Sequence, residues 1–149
     1  MDSETNALEN KFKIIVIGDS NVGKTNIISR YTKNTFIEDI NATVSCEFSQ
    51  KSLLIDNQKL TFLIWDTCGQ ERYRSLTKSF FKNSNGVVIV FDLANYASFQ
   101  NVNSWIEDAQ EILGKMIPIV ILANKSDIET NLKKVEDYEI AELAQKYSI

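Results

Sequence analysis

The chain has 149 residues, a net charge of −4 and a hydrophobic content of 44%. This length predicts one domain that buries roughly two-thirds of its unfolded surface, and the acidic balance offers no basic face to a nucleic-acid backbone, so we expect no nucleic-acid partner. No apolar run reaches transmembrane length, and the polar residues 1–10 predict a flexible N-terminal tail before a domain at 11–149.

The first elements are a strand, a glycine-containing loop and a helix. The apolar run at 12–17 predicts the strand, and helical spacing predicts the helix at 23–32. Residues 18–25 between them read Gly-Asp-Ser-Asn-Val-Gly-Lys-Thr and fill the phosphate-loop pattern G-x-x-x-x-G-K-[ST]. Such a loop turns backbone N–H groups toward phosphate oxygens, and its threonine hydroxyl suits Mg²⁺. The predicted phosphate contacts are Ser20, Asn21, Val22, Gly23, Lys24 and Thr25, with Thr25 also a metal ligand.

A hairpin comes next, because β runs at 44–55 and 59–66 are joined by a tight turn. Asp66 ends the second run at a buried strand end near the phosphate loop, which predicts a Mg²⁺ ligand that binds directly or through water. Gly69 offers an N–H to a γ-phosphate. Gln70 has a donor and an acceptor with which to orient an attacking water, so it is the predicted catalytic residue.

Continuous apolar runs and helical patterns alternate through the rest of the chain. Runs at 87–91 and 117–122 predict strands that helices cover on both faces. Helical spacing predicts one helix through 99–113 and a last helix at 136–147. The residues expected to face inward on the last helix are Tyr138, Ala141, Ala144 and Tyr147. This order predicts an α/β layered fold with ligand loops at the carboxyl ends of its strands.

The polar tetrad Asn124-Lys125-Ser126-Asp127 follows the last apolar run. An aspartate there can accept hydrogen bonds from both N1–H and the exocyclic amine of guanine. Adenine lacks that donor pair and would leave the carboxylate unpaired, so the segment selects guanine. The predicted guanine contacts in this segment are Asn124, Lys125 and Asp127.

Together these segments resemble the Ras superfamily of small GTPases, and within it the Rab-type GTPases of vesicle traffic. The superfamily resemblance rests on residues 18–25, Thr43, residues 66–70 and residues 124–127, and the Rab resemblance on residues 72–77, Phe80-Phe81 and residues 90–93. The resemblance implies an α/β P-loop NTPase fold, a three-layer sandwich whose sheet is mostly parallel with one antiparallel edge hairpin. Because the chain stops early, we expect this fold to lack the family's usual last strand and helix.

The resemblance also implies ligands and partners. Thr43 matches the threonine that joins Mg²⁺ and meets the γ-phosphate only in the GTP state, and Phe36 matches an aromatic side chain that packs against guanine. Mg²⁺ is the implied cofactor, and GTP and GDP are the implied ligands. A monomeric switch would then contact an exchange factor, an activating protein and effectors through Thr35 to Phe48 and Gly69 to Phe81.

Two features bear on how well such a switch would work. The only arginines are Arg30, Arg72 and Arg74, none of them in the phosphate loop, so we expect slow hydrolysis that an activating protein accelerates. The chain stops at Ile149, before the family's last strand, its Ser-Ala-Lys-type loop and its prenylated tail. We therefore expect no direct lipid anchor, an unpaired sheet edge beside 117–122 and faster nucleotide release.

Other functions stay open at this point. A truncated, non-cycling protein that binds nucleotide or Rab partners without efficient hydrolysis is the main alternative, and a small P-loop kinase would need a lid with more arginines.

Cys46 and Cys68 are the only cysteines and histidine is absent, which predicts reduced thiols and no zinc site. We expect a cytoplasmic protein that reaches Golgi or endosomal membranes through partners.

Overall fold

A five-stranded sheet organises the chain in a computed structural model that describes residues 10–38, 46–67 and 74–149, with the backbone alone at 74–77. The strands are β1 (Asn10–Ile17), β2 (Glu47–Ile55), β3 (Gln58–Asp66), β4 (Gly86–Asp92) and β5 (Ile119–Asn124). Their order across the sheet is β2-β3-β1-β4-β5. Only β2 and β3 run antiparallel. The predicted mostly parallel sheet with one antiparallel edge hairpin is therefore confirmed.

Helices connect the strands and cover the sheet. They are α1 (Lys24–Lys33), α2 (Arg74–Phe81), α3 (Tyr96–Gln100), α4 (Val102–Leu113) and α5 (Asp137–Tyr147), with a 3-10 turn at Thr130–Leu132. The single helix predicted through 99–113 is wrong, because the segment forms α3 and α4. The boundary falls at Asn101, whose N–H donates to the Ala97 carbonyl at 3.0 Å while its own carbonyl accepts from Trp105 N at 3.1 Å.

The two faces of the sheet bury separate apolar clusters, because side chains alternate along each strand. Ile15 and Ile17 of β1 belong to the larger cluster, which also holds side chains of α4 and α5. Val16 belongs to the smaller cluster beside α1. The result is a helix layer, a sheet and a second helix layer, which is the predicted three-layer sandwich.

The inward face of α5 differs from its prediction. Tyr138 and Ala141 are exposed, whereas Leu143 is buried and Ile140 packs against the same cluster. Tyr147 does face inward, and its hydroxyl donates to Asn103 Oδ1 of α4 at 3.0 Å. Contact with α4 thus sets the rotation of α5 about its axis. The spacing of the alanines and tyrosines along α5 does not predict that rotation.

The sheet ends on one side at β5, as expected of the unpaired edge. An apolar pocket of about 300 Å³ lies beside α1. Its lining residues are Ile14, Val16, Ile27, Ile28, Tyr31, Leu53, Phe62, Ile64, Val88 and Leu122. Within the described ranges, no helix combines the length and apolarity needed to cross a membrane.

The topology brings four strand ends to one edge. β1 pairs with β3 on one side and β4 on the other, so the loop that follows β1 opens where neighbouring connections diverge. Along the same edge, Val16 is in register with Asp66, and Asp92 with Asn124. Polar residues from distant parts of the sequence therefore surround the loop at 18–25.

Candidate functional site

Two glycines give the loop after β1 its shape. Gly18 has φ +136°, and a Cβ there would lie 2.1 Å from the Val90 carbonyl oxygen. Gly23 has φ +101°, and its Cβ would lie 2.2 Å from Asn124 Nδ2. Side chains other than hydrogen are excluded at both positions by backbone conformation and by space. Asn21 adopts φ +62°, as its tolerance of left-handed backbone predicts.

Lys24 begins α1 and is buried, with a relative exposure of 6%. Its ammonium donates to the carbonyl of Gly18 at 2.9 Å and to that of Asp19 at 2.8 Å. The positive charge therefore lies inside the curve of the loop and not out in solvent. Together with the N-terminus of α1, it makes this loop favourable for an anion.

Thr25 and Asp66 meet on the other side of the loop. The Thr25 hydroxyl donates to Asp66 Oδ2 at 2.5 Å. Asp66 Oδ1 is buried and, within the described part of the chain, has no hydrogen-bond partner. Burial raises the pKa of Asp66 above its usual value, and the Thr25 hydroxyl and the Lys24 charge offset only part of that rise. The Asp66 carboxylate therefore has a buried oxygen that lacks a partner among the described residues, next to the Thr25 hydroxyl. Carboxylate and hydroxyl oxygens are ligands that fit Mg²⁺.

The tetrad after β5 is bonded directly to the same loop. Asn124 Nδ2 donates to the Val22 carbonyl at 2.8 Å, and Lys125 Nζ donates to the Asn21 carbonyl at 2.9 Å. Lys125 also pairs with Asp92 Oδ2 at 2.6 Å. The side chains of Asn124 and Lys125 therefore support the loop, a contact that the sequence analysis did not predict.

Asp92 is a site residue that the sequence analysis missed. Its carboxylate is mostly buried, and Oδ1 accepts from the Ala94 N–H at 2.8 Å while Oδ2 pairs with Lys125. A polar residue that ends a continuous apolar strand was the available signal, since Asp92 ends β4 just as Asp66 ends β3.

The remaining predicted residues are less enclosed. Asp127 is exposed in the turn after β5. Phe36 follows α1 and is 61% exposed. Asn26 holds that segment to α1 by donating to the Ile37 carbonyl at 3.0 Å and accepting from Ile37 N at 2.9 Å. Thr43, Gly69 and Gln70 lie outside the described residues.

The contacts thus join the loop at 18–25, Asp66 and the tetrad at 124–127 into one site. Its backbone and Lys24 can receive a chain of phosphates. Its carboxylate and hydroxyl oxygens can hold a divalent cation. The exposed Asp127, on the segment bonded to the loop, offers a carboxylate to a group that lies next to those phosphates.

Comparison with known proteins agrees with this geometry. The model of the Ras family matches residues 13–149. The chain is 43% identical over 118 residues to Ras-related protein Rab-11C of Dictyostelium discoideum, an alignment that covers 79% of this chain and 53% of that protein. It is 36% identical over 138 residues to Ras-related protein RABA1c of Arabidopsis thaliana, covering 93% and 63%. Ras-related protein YPT3 of Nicotiana plumbaginifolia is 38% identical over 135 residues, covering 91% and 62%. The chain therefore spans between about half and two-thirds of the length of these relatives.

Proposed function

This chain belongs to the Ras family as a Rab-type small GTPase, and from that premise we propose that it is a guanine-nucleotide switch in vesicle or membrane traffic. It binds GTP and GDP with Mg²⁺, hydrolyses GTP slowly and changes its partners with the bound nucleotide. The observation that carries the proposal is the direct bonding of Asn124 and Lys125 to the phosphate loop. Because these bonds hold the tetrad against the loop, one ligand can contact Asp127 with its base and the loop with its phosphates.

The phosphates bind to the N–H groups of residues 20–25 and to the Lys24 ammonium. When phosphates are bound, the Lys24 ammonium also donates to phosphate oxygens, and this charged pair gains strength from burial. Thr25 and Asp66 would hold Mg²⁺, with Thr43 joining them in the GTP state. The metal supplies positive charge that stabilises the negative phosphates.

The base binds at the tetrad. Asp127 accepts from the two adjacent N–H donors of guanine, and Phe36 packs against the ring. Asn124 and Lys125 also belong to this guanine site, and their side-chain nitrogens hold it against the loop by bonding to loop carbonyls. The specificity comes from the penalty of leaving a carboxylate unpaired beside adenine.

Hydrolysis depends on Gln70, which orients the attacking water, and on Gly69, whose N–H meets the γ-phosphate. The reaction is slow because the phosphate loop at 18–25 contains no arginine in its sequence. Arg30 Nη1 is bonded to Asn34 Oδ1 at 3.1 Å, at the end of α1 opposite the phosphate loop. An activating protein therefore supplies the missing positive charge.

Partners distinguish the GDP-bound from the GTP-bound state by contacting Thr35 to Phe48 and Gly69 to Phe81. Support comes from Trp65 of β3, whose ring contacts one aromatic ring from each segment. Phe48 and Trp65 have ring centroids 5.3 Å apart, and Trp65 and Phe80 have centroids 5.7 Å apart. Phe48 is 56% exposed, so the group offers an apolar contact area to a partner. The protein acts as a cytoplasmic monomer that reaches endomembranes through such partners.

The test begins with the nucleotide content of the purified chain. We expect about one GDP per chain, released when EDTA removes Mg²⁺. A chain that carries no nucleotide and binds no added GDP or GTP would contradict the proposal and favour the non-cycling alternative.

Single-turnover hydrolysis then separates binding from catalysis. Gln70→Leu should slow GTP hydrolysis roughly tenfold or more while leaving GDP affinity unchanged. Gln145→Leu is the matched control, because it makes the same substitution at an exposed position of α5. Equal hydrolysis rates in the two variants would remove Gln70 from its proposed role.

A further inference from the structure

The phosphate loop contains an acidic residue that its proposed ligand does not explain. Asp19 follows Gly18 directly, and its carboxylate is bonded to the α3–α4 boundary. Asn101 Nδ2 donates to Asp19 Oδ2 at 2.6 Å, and Trp105 Nε1 donates to Asp19 Oδ1 at 2.9 Å. Both carboxylate oxygens therefore have a neutral donor, one from the residue that caps α4 and one from the first turn of α4.

These two donors are held firmly. Trp105 is 3% exposed and belongs to the larger apolar cluster. Its backbone N–H donates to the Asn101 carbonyl, which makes the pair part of the first turn of α4. The positive end of α4 adds to the attraction for a carboxylate at this position.

The other end of Asp19 is also bonded. Its backbone carbonyl accepts from Lys24 Nζ at 2.8 Å, so the residue is held between α4 and the lysine of the phosphate loop. An unheld carboxylate in this loop would repel bound phosphates and would compete for the lysine. Donors on α4 prevent both, because they satisfy the carboxylate away from Lys24.

We propose that Asn101 and Trp105 are positioning residues for the nucleotide site. They hold the Asp19 carboxylate, and through it they keep the loop in the shape that binds phosphate. The proposal rests on the proposed function, since it requires nucleotide at this loop. If the two bonds only packed α4 against the sheet, the effect of their loss would not depend on Asp19. The experiments below therefore compare the variants with and without Asp19.

The first measurement is the rate of GDP release in Mg²⁺. Asn101→Ala and Trp105→Phe should each release GDP roughly three- to tenfold faster than wild type, because each removes one hydrogen bond to a charged group. Asn103→Ala is the matched control on the same helix. It loses bonds to Lys146 and Tyr147 but none to the loop, and should release GDP at the wild-type rate.

A double-mutant cycle separates positioning from packing. Trp105→Phe should have no further effect on GDP release when it is added to Asp19→Ala, whatever the rate of that single variant. If Trp105 only fills the core, its substitution should change the rate by the same factor in both backgrounds. Asn101→Ala provides the same cycle without a void in the core.

A spectroscopic signature completes the test. The indole N–H resonance of Trp105 should shift in Asp19→Asn, whereas that of Trp65 should not. Wild type that binds no GDP would overturn the proposed function and this proposal together. Wild type that binds GDP while Asn101→Ala and Trp105→Phe release it at the wild-type rate would overturn this proposal alone. Equal factors in the two backgrounds of the cycle would do the same.

Discussion

Replacing Gly23 with alanine should weaken both folding and nucleotide binding. The new Cβ would lie 2.2 Å from Asn124 Nδ2, so that amide must move and its bond to the Val22 carbonyl breaks. The φ of +101° adds about 1–2 kcal/mol of backbone strain, and the lost bond adds about 1 kcal/mol. We expect Gly23→Ala to lower the free energy of unfolding by roughly 2–3 kcal/mol.

Gly114→Ala is the matched control. Gly114 also has a positive φ, +93°, but no described atom lies within 4 Å of the position that an alanine Cβ would take there. With ψ 157°, Gly114 lies in a backbone region that essentially only glycine adopts, so the substitution introduces strain without the collision and should lower the free energy of unfolding by about 1–3 kcal/mol. Because Gly114 caps the C-terminal end of α4, whereas Asn101 and Trp105 contact the loop at the N-terminal end, its substitution should leave GDP affinity unchanged.

Two assays distinguish the variants. Urea unfolding without nucleotide measures stability, and displacement of a fluorescent GDP analogue measures affinity. We expect Gly23→Ala to lose at least about tenfold in GDP affinity, which corresponds to about 1.4 kcal/mol, because the start of α1 and the Val22 carbonyl both shift. If Gly23→Ala binds GDP as tightly as Gly114→Ala, the bond from Asn124 does not hold the phosphate loop.

Three further substitutions test other contacts. Asp66→Asn should remove most of the slowing of GDP release by Mg²⁺, measured as the ratio of rates in Mg²⁺ and EDTA; a wild-type ratio would exclude Asp66 as a metal ligand. Asp127→Asn should weaken GDP binding at least about tenfold, because an amide cannot accept from both guanine donors, and unchanged affinity in a displacement assay would contradict that role. Lys13→Met should lower the free energy of unfolding in urea by roughly 1–2 kcal/mol, because Lys13 Nζ donates to the carbonyls of Phe80 and Lys82; an unchanged midpoint would show that these bonds add nothing.

Much of the fold could be predicted because its signals are local. The loop at 18–25, the turn at 56–57 and the apolar strands are each specified by neighbouring residues. The turn takes the expected tight form, with φ +49° at Asp56 and +62° at Asn57. Errors arose where packing decides. The rotation of α5 follows its contact with α4, and the division into α3 and α4 follows a boundary at Asn101 that helical periodicity does not mark.

The site was predicted in part for the same reason. Gly18, Gly23 and Asp66 carry signals that motif spacing and strand ends reveal, and the structure brings their segments together. Asp92 lies in a segment that carries the Rab resemblance but that assigns it no ligand, and Trp105 lies in no motif, so their contacts with the site were not predicted. The roles of Thr43, Gly69 and Gln70 stay predictions.

The phosphate-loop motif and the alternation of strands and helices can be predicted from the sequence, because both are specified within short stretches of chain. The contacts that hold that loop are visible only in the folded chain. Asn124 reaches the Val22 carbonyl across 102 residues of sequence, and Trp105 reaches Asp19 across 86. Such partners meet only because parallel strands bring their carboxyl ends to one edge of the sheet, and no local pattern specifies which distant side chain will be there.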